Sequence, residues 1–315
     1  MNRRAFLAWL SAAVARAART LPANRNIKWA VSLGLWSHFR PVAFTDILDV
    51  MRDTGFIGIR LTDFPHCFEA YNLSPSQMLK EVNKRKLHVC TVSFGGPAHD
   101  PSRHEKFYAD ARRAMSVLKT FGATELVIFT PARLPPGTDL MPVFDNMSDC
   151  YSRTGLMARE LGFRIGLHNH LGQFMEKPDE IELLLAKVDP KLVFFAPDTA
   201  HLHLAGANVP AMFEKFKRRI IFADYKDAKW TTPDADFVED NGKVHSKDSD
   251  DAKFFASIYD LGEGEIDFPT CQRVLKSVDY KGWLCVDLDT ARKGPRASYE
   301  RCGAYVVNRL EGIYE

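Results

Sequence analysis

Apolar and polar positions alternate in two rhythms along almost the whole chain. Short apolar runs such as Trp29-Ala-Val-Ser-Leu-Gly-Leu35 predict strands, and the segments between them repeat apolar residues every three or four positions, as amphipathic helices do. Residues 44–54, apolar at Phe44, Ile47, Leu48 and Met51, predict a first helix that Gly55 closes. Residues 56–61 predict a second strand, and Ser74-Pro75 opens a helix with Met78, Leu79 and Val82 on one face. Strands three and four are expected at 87–94 and 125–129, followed by helices at 101–121 and 140–161, with Gly162 as the stop of the second.

The next three apolar runs are Arg164-Ile-Gly-Leu-His-Asn-His170, Leu192-Val-Phe-Phe-Ala-Pro-Asp198 and Arg219-Ile-Ile-Phe-Ala-Asp224, separated by helical patterns near 178–188 and 209–217. Each run ends in residues able to bind a metal or move a proton. An eighth strand at 283–289 lies between helical patterns near 268–278 and 298–310. Eight strand–helix pairs over about 280 residues predict an α/β fold, a (β/α)8 TIM barrel. A doubly wound open sheet is the runner-up, and no Gly-x-Gly-x-x-Gly after the first strand speaks for it. In either fold the C-terminal strand ends would gather His168, His170, Asp198, His201, Asp224 and Lys226 on one rim.

Residues 230–255 break the rhythm, being polar and too long for an ordinary strand-to-helix turn. They are expected as a loop over the strand-seven end, either a lid or substrate-reading element or a solvated insertion.

Composition adds two constraints. The 315 residues are 46% hydrophobic, enough for a large core, and 42 basic against 40 acidic side chains give a net charge of +2. The first twenty residues, with Arg3-Arg4-Ala5-Phe6-Leu7 leading into an apolar run and Ala15-Arg-Ala17, resemble a twin-arginine export signal, the alternative being an amphipathic N-terminal helix or anchor. That run is too short to span a bilayer. The implied location is periplasmic or otherwise exported, with no stable membrane anchor after processing. Cleavage after Ala17 would leave 39 basic against 40 acidic groups, which gives a nucleic-acid partner no support. Six cysteines show no Cys-x-x-Cys spacing, and Cys90 and Cys285, inside strand runs, are expected as small buried thiols.

A divalent ion needs three or four ligands from different segments. The strand ends offer His168 or His170, Asp198, Asp224 and Asp287, and carboxylates gathered there without a cation would repel one another.

The motifs Gly166-Leu-His-Asn-His170, Asp198-Thr-Ala-His201, Asp224-Tyr-Lys-Asp227, Gly262-Glu-Gly-Glu-Ile-Asp267 and Gly282-Trp-Leu-Cys-Val-Asp-Leu-Asp289 resemble the xylose isomerase-like barrel family of sugar isomerases and epimerases. The likeness runs over about residues 27–311 and is nearest the branch that includes inosose dehydratase. That family holds a divalent metal by Glu, Asp, His and Glu from strands five to eight. The resemblance therefore implies a metal on His168, Asp198, Asp224 and Asp287, of which only Asp198 matches the family residue outright. The more anionic set favours manganese or magnesium, with zinc or cobalt compatible. The substitutions also leave open a metal-free sugar-binding protein.

The implied chemistry is proton transfer next to a carbonyl of a non-phosphorylated sugar, as an isomerase or epimerase. The alternative is a keto-sugar dehydratase or a keto-glycoside-eliminating lyase. His170 and His201 are candidates for acid and base, because imidazole titrates near neutral pH, and Lys226 is a third catalytic candidate. Arg60, His66, Asn169, Glu263 and Asp289 are expected to bind substrate. The expected partner is a small carbohydrate, and a homo-oligomer is compatible with the sequence.

Overall fold

The computed structural model describes residues 21–39, 41–239 and 242–314, so the expected export segment lies outside the described residues. Strands β1 (Lys28–Ser32), β2 (Gly58–Leu61), β3 (His88–Gly95), β4 (Glu125–Phe129), β5 (Arg164–His168), β6 (Val193–Phe195), β7 (Phe222–Tyr225) and β8 (Trp283–Val286) form one parallel sheet. Its order is β6-β5-β4-β3-β2-β1-β8-β7. Two isolated parallel bridges, Phe195 with Ile220 and Asp198 with Asp224, join the outer strands and close the sheet into a barrel. The (β/α)8 expectation holds.

The barrel has two apolar layers. Ala30, Cys90, Val127, Ala196, Phe222 and Cys285 form a plug inside it, with Trp283 packed at one end. The outer faces of the strands meet the helices in a second, larger core. Gly166 packs closely against the plug: a Cβ there would come 3.0 Å from Ala196 Cβ and 3.2 Å from Ile221 Cγ1.

Helices α1 (Phe44–Asp53), α2 (Pro75–Lys84), α3 (His104–Phe121), α4 (Leu140–Glu160) and α5 (Pro178–Lys187) follow the first five strands. Ser74 starts α2 through a capping box with Gln77. Two short helices, α6 (Thr199–Leu204) and α7 (Val209–Phe216), follow β6. All six cysteines are buried and free. No helix among the described residues is long and apolar enough to cross a membrane.

Two expectations need correction. Strand seven extends beyond Asp224, because Asp224 and Tyr225 keep pairing with Cys285 and Val286, so Asp224 is inside the barrel rather than past a strand end. The insertion is also not a plain loop. It contains a hairpin pairing Phe237–Val238 with Val244–His245 and a helix, α8 (Asp250–Ser257), whose N-cap Ser249 accepts from Ala252 N at 3.1 Å. Helices α9 (Phe268–Ser277) and α10 (Pro295–Tyr305) complete the ring.

Asp227 fixes the return of this insertion to the barrel. Its carboxylate accepts from the backbone N–H groups of Gly262, Gly264 and Ile266 at 2.8, 3.0 and 3.2 Å. This contact accounts physically for both the Asp227 and the Gly262–Ile266 motifs. Asp227→Ala would strand these donors and should cost about 3 kcal/mol, read by urea unfolding; a loss under about 1 kcal/mol would contradict the anchoring role.

Candidate functional site

Closing the barrel brings Asp198 and Asp224 side by side, both fully buried. Asp198 sits at the N-terminus of α6, and its Oδ1 caps that helix by accepting from Ala200 N at 2.9 Å and His201 N at 3.1 Å. Its Oδ2 is buried and faces the Lys226 ammonium at 3.1 Å, while Oδ1 of Asp224 is buried without a hydrogen bond among the described residues. His168, at the end of β5, joins them, so that one ligand atom from each of the three lies within 4.8 Å of the others.

Two buried cations enter this ring. The Arg60 guanidinium, from β2 across the barrel, pairs with Asp224 Oδ2, donates from Nε to Ser93 Oγ at 2.8 Å and lies 3.9 Å from Asp287 Oδ2. Lys226 Nζ stands 3.1 Å from Asp198 Oδ2, 2.7 Å from Asp287 Oδ2 and 2.6 Å from Asp289 Oδ2. Burial opposes the charge on both cations, yet the surrounding carboxylates hold each pKa above its ordinary value. The same two cations outweigh burial at Asp287 and hold that carboxyl well below the usual range.

The other residues singled out in the sequence are placed as follows. Asp287 lies outside the three-residue ligand group, its carboxylate 2.7 Å from Lys226. Arg60, expected to bind substrate, is fully buried against Asp224 and Ser93. Asn169 is occupied by the backbone of Asp198, accepting from its N–H at 2.9 Å and donating to its carbonyl at 3.2 Å. Glu263 lies beside Arg301, 3.7 Å away, rather than in the ring. Asp289 reaches the ring only through Lys226. His66 is exposed, pairs with Glu69 at 3.1 Å and lines a cavity at the same barrel end.

The donor set fits a divalent cation. Asp198, Asp224, Asp287 and Asp289 carry four formal negative charges against two positive ones on Arg60 and Lys226, an excess that one divalent ion would balance. Burial and the neighbouring carboxylates both act on these groups. Burial, followed by Asp287, raises Asp198 to about 6 despite Lys226, and burial with Asp287 and Asp198 raises Asp224 to about 8 despite Arg60. Hard carboxylate oxygens with one imidazole suit ions of the manganese, magnesium or zinc class.

His170 and His201 lie against this cluster with ring centroids 3.7 Å apart. One residue, Leu171, orients both. Its carbonyl is 2.7 Å from His170 Nδ1, so that nitrogen carries the proton and Nε2 keeps its lone pair. Its N–H donates to His201 Nδ1 at 3.4 Å, so the proton of His201 is on Nε2, which has no hydrogen-bond partner among the described residues. Burial, then neighbouring cationic groups, keeps both imidazoles below their ordinary pKa and therefore neutral at pH 7. His168 Nδ1 donates to the Ala196 carbonyl at 3.1 Å.

Two aromatic neighbours were not anticipated from the sequence. Phe129 stands edge-on 4.5 Å from His168, and Phe254 of α8 stacks flat on His201 at 5.2 Å and 6°. Phe254-Phe255, an apolar pair inside an otherwise polar insertion just after Ser249-Asp250-Asp251, is the signal that marks this helix and its buried face.

Comparison with known proteins agrees with this architecture. Residues 48–302 match the family model described as xylose isomerase-like TIM barrel. Inosose dehydratase of Lacticaseibacillus casei is 23% identical over 274 residues, covering 81% of this chain and 86% of the relative. Among solved structures, the IolI protein with a bound zinc atom superposes with a TM-score of 0.71 at 14% identity, covering 91% of this chain and 99% of that one. A D-tagatose 3-epimerase-like protein gives 0.67 at 18% identity, covering 91% and 98%. At such identities the structural likeness speaks for the fold alone.

The raised carboxyls set a pH dependence. An unfolded Asp titrates near 3.9, so up to about pH 8 the metal-free folded state holds an extra proton on Asp224, and stability falls as pH rises. His168, His170 and His201, lowered by burial, act in the opposite sense, but only up to about pH 6.5, where the unfolded imidazole loses its proton. Between pH 6.5 and 8 the chelator-treated protein should lose about 1–2 kcal/mol in urea unfolding, and saturating divalent metal should abolish that loss. A stability that rises over this window would contradict the buried charge excess.

Proposed function

We propose, given that the chain belongs to the xylose isomerase-like TIM barrel family, that it is a divalent-metal-dependent carbohydrate isomerase or epimerase that moves a proton next to the carbonyl of a non-phosphorylated sugar. The observation that carries this is the pair of neighbouring neutral imidazoles held by Leu171 in opposite tautomers. His170 offers a lone pair on Nε2 and His201 offers N–H on Nε2. One can take a carbon-bound proton while the other donates to an oxygen, at the pH where neutral imidazole is a competent base. Phe254 and the Leu171 backbone restrict rotation of the His201 ring. A divalent ion held by His168, Asp198 and Asp224 would supply positive charge against the negative charge that develops on the carbonyl oxygen. Manganese or magnesium is the proposed ion.

A second reading, keto-sugar dehydratase, shares the first proton transfer and has about equal support from the inosose dehydratase relatives. In that reading, His201 donates its Nε2 proton to a departing hydroxyl group instead of assisting its return to carbon. Incubation of metal-loaded protein with keto-sugars in deuterated water separates the two. An isomerase gives products of unchanged composition carrying deuterium next to the carbonyl, and a dehydratase gives products lighter by one water. His170→Gln should slow either outcome by about 10²–10⁴-fold. Absence of exchange and of water loss across the keto-sugars would count against both.

We also propose export through the twin-arginine route, on the strength of Arg3-Arg4 and the apolar run that follows. Residues 1–30 fused to a reporter should carry it out of the cytoplasm, and replacing both arginines with lysine should stop transport; a reporter retained in a transport-competent host would refute export.

A further inference from the structure

His201 is shut away from solvent. The residue is 1% exposed, and its Nε2, the nitrogen that would meet a substrate oxygen, is buried. The ring of Phe254, on α8, covers one face of the imidazole, flat against it at 5.2 Å. A ligand reaches that nitrogen only if a neighbour moves. The helix that carries His201, α6, is held to the β6–β7 seam through Asp198, so it is part of the closed barrel. The covering helix α8 belongs to the insertion, which is joined to the barrel in a different way.

The base of the insertion is zipped shut. Asp227–Ala228 pairs antiparallel with Ile258–Tyr259, and Ser257 adds its carbonyl to Lys229 N at 3.1 Å and its Oγ to Thr231 N at 3.0 Å. Arg292 reaches the Ala256 carbonyl at 2.7 Å. Farther out, the contact with the barrel is a polar cluster built on Glu239, which is 8% exposed at the end of the first hairpin strand. Its Oε2 lies 3.1 Å from Nδ1 of His38, in the turn Gly34–Phe39 after β1. Its Oε1 is 2.7 Å from His245 Nε2, on the second hairpin strand, and 3.7 Å from Lys243 Nζ. Asp251, in the first turn of α8, lies 3.1 Å from His245 Nδ1.

This cluster sets the position of α8. Phe255 packs edge-on against both imidazoles, 5.4 Å from His38 and 5.2 Å from His245, and stacks on Phe237 at 4.6 Å. Phe254 is its neighbour in the helix, so whatever seats Phe255 also seats Phe254. A carboxylate withdrawn from water is costly unless its partners stay in place, which makes the Glu239 contacts a fastening rather than surface decoration. A merely solvated insertion would leave Glu239 in water.

We propose that α8 is a movable cover over the imidazole pair and that Glu239 is the positioning residue that latches it: by joining His38 of the barrel to His245 of the insertion, it holds Phe254 on His201. Release of the Glu239–His38 contact lets α8 lift on its zipped base and admit a substrate, and reclosure excludes water from the proton transfer. The inference rests on the reading of His201 as a group that meets substrate. It gives the insertion a role and assigns residues that lie outside the family motifs.

Chemical labelling tests the latch without substrate or turnover, so its outcome is separate from that of the deuterium experiment. Diethyl pyrocarbonate, which acylates neutral imidazole, would be applied to the metal-loaded full chain, with the modified histidines located by peptide mass spectrometry. In the wild type, His201 should react far more slowly than the exposed His66. Phe254→Ala, His38→Ala and Glu239→Ala should each speed the labelling of His201 by about fivefold or more, with His66 unchanged. Cys90 and Cys285, inside the barrel, should stay unreactive toward iodoacetamide, which separates lifting of α8 from unfolding. If an alanine variant exposes those thiols, Glu239→Gln, which removes the charge at nearly constant volume, carries the same test. Labelling of wild-type His201 as fast as His66 would overturn the cover. A smaller acceleration in either latch variant would overturn the role of Glu239, even where Phe254→Ala labels rapidly.

Discussion

Barrel closure between β6 and β7 places two carboxylates, Asp198 and Asp224, next to each other with no access to water. Removing carboxylates from water costs several kcal/mol each unless positive charge or hydrogen bonds replace the lost hydration, and neighbouring like charges add to that cost. Much of the rest of the site follows as compensation. Asp198 uses one oxygen to cap α6, and Asp224 takes Arg60 from the opposite side of the barrel. Lys226 bridges Asp198, Asp287 and Asp289. Counted as ionised, the four carboxylates exceed the two cations by two charges, Asp224 Oδ1 has no hydrogen bond among the described residues, and a divalent ion would supply what the protein's own cations leave out.

The same seam organises the proton-transfer groups. Asp198 starts α6, which presents His201, while His170 follows β5 on the neighbouring strand. Leu171, between them in space, fixes both tautomers through its single peptide N–H and carbonyl. Isomerisation and dehydration start from the same proton abstraction. They differ in whether an oxygen leaves before the proton returns, so one arrangement of imidazoles can serve relatives with either outcome.

The fold was legible in the sequence because its signals are local. Strand and helix periods, Gly55 and Gly162 as stops, and Pro75 in a first helical turn each act within a few residues. The gathering of His168, Asp198 and Asp224 was legible too, because parallel α/β topology sends all C-terminal strand ends to one rim. The misplaced expectations involve pairings across the barrel. Arg60 and Asp224 are 164 positions apart, and nothing near Arg60 indicates that its partner is a carboxylate rather than a ligand. Asp287 carries a carboxylate at the same rim, and its pairing with Lys226 at 2.7 Å is equally non-local. The insertion reads as a loop in the sequence because its charges mask the period of a two-turn helix, and the Phe254–His201 contact it makes is equally non-local.

The protein's own cations leave a charge deficit at the barrel end that a divalent metal would fill. The most direct test is the metal content of the purified chain after reloading and desalting, by mass spectrometry, for wild type and Asp224→Ala. The account predicts about one manganese-class ion per wild-type chain and its loss in the variant. A wild-type chain that retains no divalent ion would contradict it, and would mean that Arg60, Lys226 and a shared proton suffice to neutralise the cluster.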